Sequence, residues 1–153
     1  MHRVGGIEKQ DGTGNISYDP DNHFTMVKLR AAKVAGIAKD IPQLEVVGDT
    51  EADLLVLGWG STWGAITDSC RLFREGGGKI AHAHLMHLNP FPSNLGEVLK
   101  RYRRVIVPEL NMGQLCQIVR GQFLVDARPI NKVAGVPFTS AELVTAFEEA
   151  LRD

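Results

Sequence analysis

Three short polar runs hold the residues of this 153-residue chain that are best suited to chemistry. The first is Gly58-Trp59-Gly60-Ser61-Thr62-Trp63-Gly64, directly after an apolar run and before a helical pattern. Glycines there let the backbone approach a ligand, and a helix start offers unpaired N–H groups to an anion. The run departs from a dinucleotide fingerprint in two ways. Its third glycine, Gly64, comes one position late, and Leu85-Met86-His87-Leu88-Asn89 supplies no acidic residue at the next strand end. A turn capped by Ser61 or Thr62 is the simpler reading, with Trp59 and Trp63 marking an apolar contact surface. Gly58, Gly60, Ser61 and Thr62 nevertheless remain candidates for holding an anion.

The second run is Pro108-Glu109-Leu110-Asn111-Met112-Gly113-Gln114. Glu109, Asn111, Gly113 and Gln114 could hold a ligand or a neighbouring chain. Alternatively they cap the next helix, with Asn111 as N-cap and Glu109 bonded to backbone donors. The third run is His82-Ala83-His84-Leu85-Met86-His87. On a strand, His82 and His84 share a face. His87 has the opposite parity and no acidic residue is near, so hydrogen-bonded histidines fit better than a metal grip. Gly48-Asp49-Thr50 weakly resembles the start of a thiamine-diphosphate magnesium motif but lacks its next glycine and its later asparagines. There is no P-loop and no nucleophile elbow. The two cysteines, Cys70 and Cys116, fall on separate apolar helix faces, so the expectation is buried, reduced thiols and no metal or iron–sulfur site in this chain.

Elements able to position these runs follow from the apolar pattern. Composition is ordinary for a globular domain, with 44% hydrophobic and 23% charged residues. The net charge of −1 gives no overall attraction to nucleic acid or anionic lipid. The basic group Lys100, Arg101, Arg103 and Arg104 suits a helix C-terminus. The longest apolar run, Ala52 to Trp59, is too short to cross a bilayer, and no signal peptide is evident, so a cytoplasmic protein is expected. Residues 1–21 read as a loop or linker. A helical stripe then runs through Phe24, Val27, Ala31, Val34 and Ala38 to about Lys39.

From Leu44 onward strands and helices alternate. Strands are expected at Leu44–Val47, Asp53–Gly58, Lys79–Leu88, Arg104–Pro108 and Arg128–Ala134, the last at a sheet edge because of Pro129. Helices are expected at about Thr62–Arg74, after Ser93 as a cap, at Met112–Leu124, and after a Thr139–Glu142 capping box. Gly76-Gly77-Gly78 should close the first of these. Short loops between alternating elements imply a mostly parallel sheet covered on both faces.

Several segments in order resemble alpha subunits of 2-oxoglutarate:ferredoxin oxidoreductases. These are Arg3-Val4-Gly5-Gly6-Ile7-Glu8, Asp19-Pro20-Asp21-Asn22-His23, Leu55 to Thr62, His87 to Pro92, Val107 to Leu115 and Asn131-Lys132-Val133. The resemblance implies a transketolase C-terminal-domain-like fold: three α/β/α layers with a five-stranded, mostly parallel sheet whose first strand is antiparallel. It also implies residues 1–43 as an interdomain linker segment and helix, and residues 44–153 as the domain. The switch point would lie between the Gly58–Thr62 and Glu109–Gln114 loops. The chain starts just upstream of that linker, so a C-terminal piece of a longer subunit is expected. The complete enzyme oxidatively decarboxylates a 2-oxoacid to an acyl-CoA, using thiamine diphosphate, Mg2+, an iron–sulfur cluster and ferredoxin, with coenzyme A as co-substrate. The implied partners are the pyrimidine-binding domain of the same subunit, the beta subunit and, through the complex, ferredoxin. No catalytic residue is implied in this chain, which alone should be inactive. The alternative is a free-standing module holding a phosphate- or CoA-like anion at the Gly58–Gly64 loop.

Overall fold

The computed structural model describes residues 7–152. Its contacts divide the chain into two compact units, one ending at Ile41 and one beginning at Pro42. The Arg3–Gly6 part of the linker motif lies outside the described residues.

The second unit is built around β2 (Leu54–Trp59), whose residues Leu54 to Leu57 have no solvent exposure. A strand apolar on both faces needs cover on both, and the sheet provides it. β3 (Ala81–Leu85) and β4 (Arg104–Glu109) flank β2 in parallel, and β5 (Ala127–Asn131) adds parallel to β4. β1 (Val46–Gly48) pairs antiparallel with β3, giving the order β1-β3-β2-β4-β5. Alternation along β2 sorts the core. Leu55 and Leu57 pack with Leu95, Val98 and Leu99 of α3 (Leu95–Arg101) and with Leu115, Cys116 and Val119 of α4 (Gln114–Phe123). Leu54 and Val56 face Ile66 and Cys70 of α2 (Trp63–Glu75) and Leu143 and Phe147 of α5 (Ser140–Arg152). The three-layer fold with an antiparallel first strand is therefore as expected, and β5 carries Pro129 on an edge.

Element ends differ where side chains do backbone work. The first strand begins at Val46, not Leu44, because the Asn94 side chain accepts from the Leu44 N–H at 2.8 Å and donates to its carbonyl at 2.9 Å. That occupation also removes the cap expected before α3: Asn94, not Ser93, precedes the helix, and its side chain does not cap it. β3 and β5 are shorter than their apolar runs, and β4 extends by one residue to Glu109. The capping box of α5 forms as expected. Glu142 N–H donates to Thr139 Oγ1 at 3.3 Å, and Thr139 N–H donates to Glu142 Oε2 at 2.7 Å. Lys132 and this box hold the Glu142 carboxyl down to about 2.

The first unit consists of a turn closed by a Lys9–Ile16 bridge and helix α1 (Pro20–Gly36), followed by a 3-10 turn over Ile37–Lys39. The helix starts earlier than the stripe suggests, since Asp19 accepts from the N–H groups of Asp21 and Asn22 and Pro20 occupies the first turn. Glu8 ties the turn to the helix. Its oxygens accept from both Arg30 Nη atoms at 3.0 Å and lie 2.8 Å from His23 Nδ1. The Arg30 hydrogen bonds, with lesser help from Lys9 N–H and His23, hold Glu8 down to about 2. No residue of α1 is buried: the expected stripe is present, but Phe24 is 59% exposed and Val27 44%.

Candidate functional site

Strand order places the reversal of winding between β2 and β4, since the chain leaves β2 for β3 on one side and returns to β4 on the other. Ligands of open α/β sheets settle outside the strand ends at that point. Both candidate loops meet there. Trp59, Gly60, Ser61 and Thr62 from the β2 end and Leu110 and Asn111 from the β4 end line a cleft of about 180 Å³.

Glu109 organises this end of the sheet. It closes β4 with no solvent exposure. Its Oε1 accepts from Leu115 N–H at 3.0 Å, Asn111 Nδ2 at 3.1 Å and Trp59 Nε1 at 3.2 Å; its Oε2 accepts from Cys116 N–H at 3.0 Å. Asn111 Oδ1 in turn accepts from Gly113 N–H at 2.7 Å and Gln114 N–H at 3.2 Å. The donors at the start of α4 are thus taken up by side chains of the preceding loop. A buried carboxylate is tolerated only with such partners, and here the positive end of the helix reinforces them. Gly113, not Asn111, is the N-cap residue. Its φ of +90° favours glycine, and a Cβ there would press on the Asn131 side chain at 3.2 Å. Gln114 faces solvent. Of the two alternatives for this loop, the geometry is that of capping.

The β2 loop is arranged differently. Thr62 Oγ1 accepts from Trp59 N–H at 3.2 Å and donates to the Trp59 carbonyl at 2.8 Å, so it closes the 3-10 turn Gly60–Thr62. It makes no side-chain cap on α2. Gly60 takes φ +59°, and Ser61 and Gly60 are exposed. Gly58 is a packing residue: a Cβ there would come within 2.6 Å of Ile66 Cδ1 and 3.0 Å of His84 Nδ1. Trp59 departs from the expected contact surface. It is half-buried, with its indole N–H anchored on Glu109, whereas Trp63 is 59% exposed. The Trp59–Glu109 bond, which joins the two loops across the switch point, escaped the sequence reading. Its residues are fifty positions apart, and no local pattern connects them.

His82 and His84 share a face of β3 as expected, while His87 is exposed beyond the strand. Among the described residues no group of three His, Cys, Asp or Glu side chains could hold a metal ion. The donor chemistry also argues against the iron–sulfur and thiamine groups that the resemblance implies for the complete enzyme sitting here. Cys70 and Cys116 lie on opposite faces of the sheet, in separate core clusters. Burial pushes the Cys70 thiol up to about 12 and raises that of Cys116, the reverse of what a thiolate ligand needs. Asp49 sits in a turn, its Oδ1 accepting from Glu51 N–H at 2.9 Å, and Thr50 stands where the thiamine-diphosphate magnesium motif has its next glycine. These residues fit neither an iron–sulfur cluster nor a thiamine-diphosphate site. No helix among the described residues is long and apolar enough to cross a membrane.

Residues 52–143, well over half the chain, match the family described as pyruvate:ferredoxin oxidoreductase core domain II. The chain is 53% identical over 151 residues to a 2-oxoglutarate oxidoreductase subunit KorA of Mycobacterium tuberculosis, covering 98% of this chain and 23% of that protein. It superposes on a 2-oxoglutarate:ferredoxin oxidoreductase of Magnetococcus marinus with a TM-score of 0.88 and 28% identity, covering 99% of this chain and 27% of that one. That structure contains 2-oxoglutarate, coenzyme A and succinyl-CoA. A split-gene transketolase, at 14% identity and a TM-score of 0.55 over 71% of this chain and 41% of that one, shares the fold. The chain spans about a quarter of the length of these two oxidoreductase relatives.

Proposed function

Because the chain belongs to the pyruvate:ferredoxin oxidoreductase core domain II family, we propose that it serves as a non-catalytic contact domain of a 2-oxoacid:ferredoxin oxidoreductase alpha subunit. The parent enzyme in this reading acts on 2-oxoglutarate, a choice supported by the 53% identity to the KorA subunit. It decarboxylates the oxoacid oxidatively, passes the acyl group to coenzyme A and reduces ferredoxin in the cytoplasm. Thiamine diphosphate, Mg2+ and the iron–sulfur cluster are held elsewhere in the complex. The domain, taken as residues 44–153 behind a linker and helix over residues 1–43, packs against the pyrimidine-binding domain of its own subunit and against the beta subunit.

The observation that carries this reading is the closed state of the switch point. Glu109, the carboxylate best placed for acid–base work, has both oxygens taken up by helix N–H groups, Trp59 and Asn111. A general base needs a free lone pair within reach of substrate. The loop instead leaves Met112 (71% exposed), and the start of α2 leaves Trp63 (59% exposed), able to meet a neighbour. The test is direct. The isolated chain should give no 2-oxoglutarate- and CoA-dependent viologen reduction and no calorimetric heat with thiamine diphosphate and Mg2+. Turnover by the purified chain alone rejects the proposal.

A second reading has one observation in its favour. The start of α2 has no side-chain cap, in contrast to α4, and the cleft of about 180 Å³ lies beside it. An anion of the phosphate or CoA class could occupy the Gly60–Thr62 turn. Phosphate or coenzyme A that raises the melting temperature of the wild type but not of Ser61→Asp would support it, and no shift with either would dismiss it.

A further inference from the structure

A 17-residue helix that buries none of its residues needs a reason, because most helical stability in proteins comes from packing an apolar face. Helix α1 is held locally instead, by the Asp19 cap at its start and by Glu8, which clamps His23 and Arg30. Its apolar residues are ordered. Phe24, Val27, Ala31 and Val34 follow one another at spacings of three, four and three, the a/d repeat of a helix that packs along a narrow seam. That seam is about 15 Å long at 1.5 Å per residue. All four residues are exposed, Val34 at 39%, and Ile37 at 48% carries apolar surface into the following turn. Leu29, on the other side of the helix, is a single exposed leucine and asks for no partner.

We propose that α1 is a docking helix for a protein partner whose groove is apolar at its base and rimmed by carboxylates. A preformed helix that lays such a stripe into a groove is a recurring recognition mode. The sign of the rim follows from the charges on the helix. From Phe24 to Lys39 the chain carries Lys28, Arg30, Lys33 and Lys39 and no acidic residue. Arg30 is already answered by Glu8, which leaves the three lysines to face a partner. Lys28 is the most telling of them. Its Nζ stands 4.1 Å from the centre of the Phe24 ring, so a positive charge borders the seam itself. A carboxylate of the partner can pair with Lys28 while an apolar side chain packs on Phe24. On the opposite flank Glu8, His23 and Arg30 form a closed group. A second copy of the chain is disfavoured by the same charges. Two α1 helices laid seam to seam bring lysines together with no carboxylate between Phe24 and Lys39 to answer them. An anionic lipid surface would also suit the lysines, but a helix lying on a membrane needs a broad apolar face, and this seam has two residues per heptad. The inference does not rest on the domain's place in an oxidoreductase.

The experiment uses the 153-residue chain, with a synthetic helix of about three heptads as probe, leucine at its seam positions and glutamate at its flanks, and a lysine-flanked twin as control. In calorimetry the glutamate-flanked helix should bind about tenfold tighter than its twin at low salt, and the preference should fade as salt screens the exposed charges. Phe24→Asp and Val34→Asp should each abolish binding, and because both residues are exposed neither should lower the thermal midpoint. Lys28→Glu should erase or reverse the preference between the two probes, which a merely structural role for Lys28 would not do. Equal binding of the two probes, no saturable binding of the glutamate-flanked one, or an unchanged preference in Lys28→Glu overturns the proposal. So does self-association that Val34→Asp abolishes, which assigns the seam to a second copy. Binding to phosphatidylglycerol vesicles that the same variant abolishes overturns it too, by assigning the seam to lipid.

Discussion

Replacing Glu109 tests the account of the switch point most severely, because one side chain there satisfies four donors. In Glu109→Leu all four lose their acceptor. Trp59 Nε1 and the Asn111 amide are partly exposed and can rehydrate, but Leu115 N–H and Cys116 N–H are buried. At about 1–3 kcal/mol for each buried orphan, the loss is about 2–6 kcal/mol, a large part of the 5–15 kcal/mol that holds a typical domain. Glu109→Gln separates charge from shape. Its carbonyl can keep the three donors on the Oε1 side, but its NH2 then faces Cys116 N–H, donor against donor. One charge-assisted bond lost at about 1.5–3 kcal/mol sets the expected cost near 2 kcal/mol. Urea unfolding followed by tryptophan fluorescence measures both variants, with the slope against denaturant unchanged if only stability moves. The Trp59 indole N–H should lose protection from exchange in Glu109→Leu and keep it in Glu109→Gln, and that of Trp63 should change in neither. If Glu109→Gln unfolds within 0.5 kcal/mol of the wild type, the carboxylate does not cap α4 and the closed switch point is wrong.

Four further outcomes are expected. Gly48 has φ +108° and a Cβ would come within 2.6 Å of the Ile80 carbonyl, so Gly48→Ala should destabilise by about 2 kcal/mol or more in the same urea assay. Thr139→Ala removes the acceptor for Glu142 N–H and should cost about 1 kcal/mol, read as a lower thermal midpoint. Neither cysteine should react with a disulfide reagent at pH 8 until the chain is unfolded, since burial raises both thiols, Cys70 to about 12; rapid labelling of either in the native state contradicts the core assignment. Glu8 sits at about 2 against an ordinary 4.5, so its clamp on Arg30 is fully present above the ordinary value and is lost as pH falls from there through about 2. Arg30 side-chain NMR signals should lose exchange protection over that window, and Glu8→Gln should remove the protection at every pH.

What was legible in the sequence is what depends on period and on local capping. The apolar run of β2 signals a strand buried on both faces, and the Thr139–Glu142 pair marks the start of α5. Where the reading fell short, a partner distant in sequence decides the outcome. Leu44 reads as strand, yet its backbone bonds go to Asn94, fifty positions away, and the strand starts two residues later. Trp59 reads as surface by composition and is drawn inward by Glu109. Periodicity identifies a stripe without saying what covers it. The α1 stripe through Phe24, Val27, Ala31 and Val34 has no buried residue. The same limit applies to the sites. Glycines and amides at strand ends signal only that a backbone needs donors or acceptors there. Whether a ligand or the chain itself supplies them depends on geometry. At α4 the chain supplies them itself, through Glu109 and Asn111.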